Sequence, residues 1–382
     1  MRVIVTGARA PVALHWCRLL KTAGHRVVLA DCQTFPISRP TRFKDRYVAL
    51  PRPIGNREGY RLAWERLLDA EQPGLILPTC EEVFYLAALG QRIGRPFPLF
   101  APPFELLAAV HDKHRFARLA ATLDAPCRPP ETWLVRNHAD AAPLSGFCGD
   151  LVLKPVWSRF GDRVIRRPDR DRFARMDWET GGPWVAQRHL PGEELSAYAL
   201  AREGRVLALQ AYRGLFRASG GASVAFAPCH EPDIDRFVAA FAARTGWTGQ
   251  VSFDFRRDAE GAIRVIECNP RAVSGLHFFG PGDGLVEALF DGSAASATIR
   301  QPQTVRLALA TYGLADALGS GRLAEWRAAM RDCADLTQWP GDRGFASAQF
   351  LALGEIIWLA IRHRTGLKAA ATADTEWNGE PL

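Results

Sequence analysis

The sequence predicts a mixed chain, α/β at its start, α+β through its middle and helical at its end, and three observations carry that expectation. Strand, glycine turn, helix and second strand fill the first thirty residues; short apolar runs of strand type dominate 150–270 and end in an acid-rich hairpin; from about 300 onward Ala, Leu and Arg recur at helical spacing. A length of 382 residues allows two or three lobes. Apolar residues at 48% and charged residues at 23% fit a globular chain and exclude a disordered, collagen-like or coiled-coil one.

In chain order, residues 2–6 read as a strand, Gly7 as a turn, 11–23 as a helix with Pro11 at its first position, and 25–30 as the next strand. This is a βαβ unit, right-handed by default, so the lobe is Rossmann-like with a parallel sheet. An amphipathic stretch at 60–70 leads to the apolar run Leu75-Ile76-Leu77, which places Thr79-Cys80-Glu81-Glu82 at a strand's carboxyl end, where such sheets keep their ligand crevices. The Pro-rich segment 95–103 breaks the pattern and puts a boundary near 110. A helix over 112–123, a turn at 126–130 and a strand at 151–154 stopped by Pro155 follow. Residues 184–211 are rich in strand signals, 213–227 read as a loop around Gly220-Gly221, and 233–245 have helical spacing. Helices are expected over 314–331 and 346–364, as a cap.

Several function classes fall away. The net charge is +7, but only five of the 48 basic residues are Lys and the Arg are scattered, so nucleic acid is not an expected partner. The eight Cys stand at least fifteen positions apart, without zinc or disulfide spacing, and a reducing cytoplasm is the expected compartment. No signal-peptide pattern opens the chain, and the apolar segment 350–361 is short and interrupted by Glu355, so no membrane span is expected. Thr6-Gly7-Ala8-Arg9-Ala10-Pro11 with Asp31 lacks GxGxxG, and Arg9 and Pro11 fill space that glycines would leave for a pyrophosphate, which argues against NAD. No HExxH or GxSxG occurs.

The hairpin at 250–271 carries the most chemistry. If Glu260-Gly261 is a two-residue turn, 254 faces 267 and 252 faces 269, so Ser252, Asp254, Glu267 and Asn269 share one face while Val251, Phe253, Phe255, Ile266 and Cys268 share the other. A four-residue turn, 258–261, pairs 254 with 265 instead. In the first register two opposed carboxylates and an amide suit a hard cation, Mg²⁺ first and Mn²⁺ as the alternative. Opposed carboxylates also repel, so neutralising Glu267 is expected to leave stability unchanged or raise it.

Phe253-Asp254-Phe255, then Glu267-Cys268-Asn269-Pro270-Arg271 and Ser274-Gly275, resemble the metal-binding hairpin and loop of the ATP-grasp superfamily, in its carbamoyl-phosphate-synthetase-like, carboxylate-amine ligase variant. Val185-Ala186-Gln187 and Leu190-Pro191-Gly192-Glu193-Glu194 are similar to that family's hinge, and Lys113 and Lys154 to its two phosphate-binding lysines. The resemblance implies a two-subdomain ATP-grasp fold: a pre-ATP-grasp domain at 1–110, a small subdomain at 111–186, a central subdomain at 187–300, and a helical extension at 301–382. It implies MgATP as cofactor, with Lys113, Lys154, Ser158, Gln187, Leu190 and Glu194 on the nucleotide and Asp254, Glu267 and Asn269 on the metal. The segment Val156-Trp157-Ser158-Arg159-Phe160-Gly161 departs from the family's Gly-rich flap, so a side chain of Ser158 or Arg159 is expected to replace the backbone cradle. Arg271 is expected to hold the transferring phosphoryl group. Arg213 and Arg217, with Ser219-Gly220-Gly221, read either as an arm over the reacting carboxylate or as an exposed basic loop.

The implied activity is phosphorylation of a small-molecule carboxylate by ATP to an acyl phosphate, followed by attack of an amine, with release of ADP and phosphate. Phosphorylation of a small acid such as bicarbonate or carbamate, and nucleotide binding without turnover, are the alternatives. The oligomeric state stays open, a homodimer included.

Overall fold

The structure is a computed structural model and describes residues 1–158, 163–218 and 221–382. Its first sheet contains β1 (Arg2–Thr6), β2 (Arg26–Asp31), β3 (Arg46–Ala49) and β4 (Leu75–Leu77), all parallel in the order β3-β2-β1-β4. The βαβ start is as the residues predict: the helix Pro11–Thr22 opens on its proline and packs between sheet and neighbours through nine consecutive buried residues, Val12 to Leu20. Gly7 has φ +75°, and a Cβ there would meet Thr79 Oγ1 at 2.5 Å, so the β1 and β4 loops touch only because this position is glycine. Glu82 latches the same loops, accepting from Thr6 Oγ1 at 2.6 Å and from the N–H groups of Thr79 and Cys80 at 3.1 and 3.2 Å.

A second, antiparallel sheet is built from β5 (Thr132–Val135), β6 (Leu151–Pro155), β7 (Ile165–Arg166) and β8 (Trp184–Arg188), in the order β5-β8-β6-β7. The third and largest contains β9 (Glu194–Arg202), β10 (Arg205–Arg217), β11 (Ser223–Cys229), β12 (Gly249–Arg257), β13 (Ile263–Asn269), β14 (Gln303–Thr304) and β15 (Ala334–Asp335), in the order β13-β12-β9-β10-β11-β14-β15. The expected loop at 213–227 is therefore mostly strand: β10 runs on to Arg217 and β11 starts at Ser223. The helix Pro232–Thr245 seals one face of this sheet, with Phe237 and Phe241 set edge-on to Phe253 at 5.4 and 4.9 Å between ring centroids.

The C-terminal helices Leu314–Ser320, Leu323–Asp332 and Phe345–His363 are broken where Gly321 and Gly344 enter positive φ. They return to the first lobe. Trp377 stacks on Phe84 at 4.9 Å, and Arg18, wholly buried, bonds Asp342 and the carbonyls of Leu336 and Thr337. In the loop after β1 the Arg9 guanidinium donates to Asp31, to Asp374 at 2.8 Å and to the Ala371 carbonyl at 3.1 Å. No helix among the described residues is long and apolar enough to cross a membrane.

Candidate active site

The hairpin turn is neither of the two weighed from sequence. Asp258 N–H donates to the Ala262 carbonyl at 2.8 Å, so three residues, 259–261, make the turn, and 257, 256 and 255 face 263, 264 and 265. A bulge at Ile266 then shifts the pairing by one, and 254 faces 267 and 252 faces 269 after all. The bulge also corrects one side-chain assignment. Val265 enters the core in place of Ile266, which lies on the cleft wall.

Asp254 accepts from Ser196 Oγ at 2.7 Å and from Asn269 Nδ2 at 3.1 Å, both held by neighbouring strands. Glu267 lies opposite, and two ammonium groups converge on its Oε2: Lys113 at 4.0 Å and Lys154 at 3.9 Å. Lys113 opens the helix Lys113–Thr122, whose N-terminus is capped by Asp112 accepting from the N–H groups of His114 and Arg115, both at 2.9 Å. Lys154 is the penultimate residue of β6, which ends on Pro155. Burial lowers the pKa of both lysines against the pull of Glu267, that of Lys154 to about 8. Burial also raises Asp254, with the Glu267 charge adding to it, whereas at Glu267 the lysines outweigh burial and hold the carboxyl below its usual range. The two opposed acids thus have unlike environments, so the repulsion expected from sequence burdens Asp254 and not Glu267.

The hinge follows from β8. Gln187 is buried and donates to Thr132 Oγ1 at 3.1 Å, while Leu190 lines the cleft. Gly192 has φ +124°, and a Cβ there would run into the Arg257 carbonyl. Glu194 sits between the guanidinium groups of Arg256 and Arg217, and Arg256 also donates to the carbonyls of Leu190 and Gly192 at 3.2 Å. Glu193 turns the other way, to Arg257.

Ser158 lines the cleft, but its hydroxyl donates to the Pro155 carbonyl and its own carbonyl accepts from Lys113 Nζ at 2.5 Å. The flap residues Arg159, Phe160 and Gly161 and the loop residues Ser219 and Gly220 lie outside the described residues. Arg213 is exposed on the face opposite Tyr212 and outside the cleft; irregular pairing after Gly214 brings Arg217 into it instead. Arg271 lies at the far end, Nε 3.7 Å from Glu81 Oε1.

The lysines, hinge and hairpin line one continuous cleft of about 560 Å³, a volume suited to a nucleotide with a small second substrate. Its far end is walled by Ile37, Glu81, Ser274, His277, Ala352 and Ile356. The last two lie on the helix Phe345–His363, and no motif announced them. As a donor set, two carboxylates on paired strands beside an amide fit Mg²⁺: the pairing register brings hard oxygen ligands together, and buried Asp254 gains from a cation.

The fold thus sets a parallel-sheet lobe beside one antiparallel and one largely antiparallel sheet, with two convergent lysines over an acidic hairpin in the cleft. Residues 101–289 match the family described as ATP-grasp domain, R2K clade family 3, and this part of the chain is an ATP-grasp domain. Among solved structures the chain resembles the N5-carboxyaminoimidazole synthetase of Staphylococcus aureus, with a TM-score of 0.61, 13% identity, and coverage of 79% of this chain and 80% of that one. It also resembles the biotin carboxylase domain of the Hydrogenobacter thermophilus 2-oxoglutarate carboxylase in complex with MgADP, ADP and bicarbonate, at TM-score 0.60 and 16% identity over 79% of this chain and 73% of that one. The L-amino acid ligase of Bacillus licheniformis matches at TM-score 0.54 and 17% identity, over 72% and 68%. No curated protein matches the sequence.

Proposed function

We propose that this protein is an ATP-dependent ligase that activates a small-molecule carboxylate as an acyl phosphate and joins it to an amine. The observation that carries the reading is the convergence of Lys113 and Lys154 on Glu267, opposite Asp254, on the floor of the cleft. Two buried ammonium groups held about 4 Å from one carboxylate are close enough to attract it and too far to be satisfied by it. Phosphate oxygens would complete them.

The nucleoside end is the hinge, where Gln187, Leu190 and Glu194 lie along one wall. Mg²⁺ held by Asp254, Glu267 and Asn269 would neutralise phosphate charge during transfer. The substrate carboxylate oxygen attacks the γ-phosphorus, the bond to the β,γ-bridging oxygen breaks, and ADP leaves. The amine nitrogen then attacks the acyl carbon, the C–O bond to phosphate breaks, and the nitrogen gives up a proton. Lys113, Lys154 and Arg271 bind and orient charged oxygens.

The test is ADP and phosphate release from the intact protein with Mg²⁺ and ATP, across amino acids and small carboxylates offered singly and in pairs, with products identified by mass. A pair-dependent amide product supports the reading. Phosphate release with bicarbonate alone, or AMP and pyrophosphate as products, overturns it.

A further inference from the structure

The helix Phe345–His363 has two apolar faces. Phe345, Ala348, Ala352, Ile356, Leu359 and Ala360 turn inward, against Arg18, the cleft and the last helical turns. Glu355, at the edge of this face, accepts the N–H groups of Thr34 and Phe35 at 2.8 and 2.7 Å and fixes the helix to the first lobe. The outer face carries Phe350, Leu351, Leu353, Ile357, Trp358 and Ile361, exposed by 38% to 73%. At 100° per residue these six span an arc of about 160°. No charged residue falls within it. Arg362 stands on the rim, its guanidinium 4.9 Å from the Trp358 ring centre.

We infer that this outer face is the interface of a two-fold homodimer, in which the helix packs antiparallel against its copy with the crossing at Gly354. Three observations select a second copy as the occupant. The first is self-complementarity about Gly354: Phe350 and Trp358 lie four positions either side of it, and Leu351 and Ile357 three. An antiparallel crossing there sets Phe350 against Trp358 of the partner subunit and Leu351 against Ile357 of the partner subunit, each contact occurring twice, as a two-fold axis requires. The second is Gly354 itself, where a Cβ would meet nothing within 4 Å, leaving the backbone open to close approach at the centre of the face. The third is area. At these exposures the six side chains offer roughly 600 Å², scaled from the size of aromatic and aliphatic groups, which is at the upper limit for a monomer's apolar patch. Two such faces remove about 1,200 Å², the lower bound of a specific interface. A lipid surface is disfavoured because no Lys or Arg lies within the arc, and Arg362 on its rim is turned onto the Trp358 ring. Since the inner face of the same helix walls the far end of the cleft, the dimer would buttress that wall.

Sedimentation velocity of the full chain from 1 to 50 µM tests the inference. A species of twice the chain mass is expected, shifted at least tenfold toward monomer by Trp358→Glu and by Ile361→Glu, with circular dichroism unchanged, and unaffected by Leu62→Glu at an exposed apolar position elsewhere. Gly354→Cys should cross-link to its own copy under mild oxidation, because only residues at the two-fold axis meet themselves; Ser347→Cys should not. A monomer at 50 µM, a dimer indifferent to Trp358→Glu, or a monomer that sediments with anionic phosphatidylserine vesicles would each overturn it.

Discussion

Two places in this molecule bury several charges, and they do so in opposite ways. In the loop after β1, Arg9 is met by Asp31 and Asp374 at hydrogen-bond distance, with a carbonyl besides, so its charge is matched within the cluster. On the cleft floor, Lys113 and Lys154 reach Glu267 only at 4.0 and 3.9 Å, Asp254 is disfavoured as an anion, and open volume adjoins all four. A buried charge cluster whose ion pairs are short holds the fold; one whose ion pairs are long keeps binding capacity in reserve.

The largest effect is expected at Arg9. Arg9→Ala leaves two buried carboxylates without their cation and should cost about 3 to 5 kcal/mol, read by urea denaturation. A loss under about 1 kcal/mol would place this cluster among weak surface pairs. Glu267→Gln should slow phosphoryl transfer by about 10²- to 10³-fold, measured as ADP release with a productive substrate pair. Because Glu267 is held low by the lysines, its charge stabilises the fold above the usual carboxylate range, so this variant should also lower the melting temperature without nucleotide. Asp254→Asn should do the reverse, raising that melting temperature by a few degrees while weakening Mg²⁺ dependence, since its charge is a burden until a cation arrives. The smallest effect concerns Lys154. With its pKa near 8 against an ordinary 10.5, the folded state binds fewer protons than the unfolded between those values, so this group's contribution to stability rises with pH across that window. A bound phosphate restores the proton. Nucleotide binding at pH 8 to 8.5 should therefore take up a fraction of a proton, seen as buffer-dependent binding enthalpy, and the uptake should vanish below pH 7.

Much of the architecture was legible because its signals are local. Pro11 opening a helix and Pro155 closing a strand act within a few residues. The hairpin register was legible for an incomplete reason: a three-residue turn and a bulge at Ile266 offset one another, and the sum equals the register of a tight turn without a bulge. Irregularity cuts the other way at β10, where simple alternation cannot tell that Arg217 enters the cleft and Arg213 does not. Ala352 and Ile356 could not be anticipated from any motif, since they reach the cleft only through tertiary packing of a helix far along the chain.

The cluster at Arg9 also bears on the order in which the molecule matures. Asp374 lies 365 residues from Arg9 along the chain, so a contact of the first lobe waits for a segment synthesised much later. Until then the first lobe carries a guanidinium with one carboxylate where the finished protein has two. Chains stopped short of 374 should therefore keep their opening strands and helix but leave Arg9 half compensated, making them better targets for quality control than their nearly complete sheets suggest.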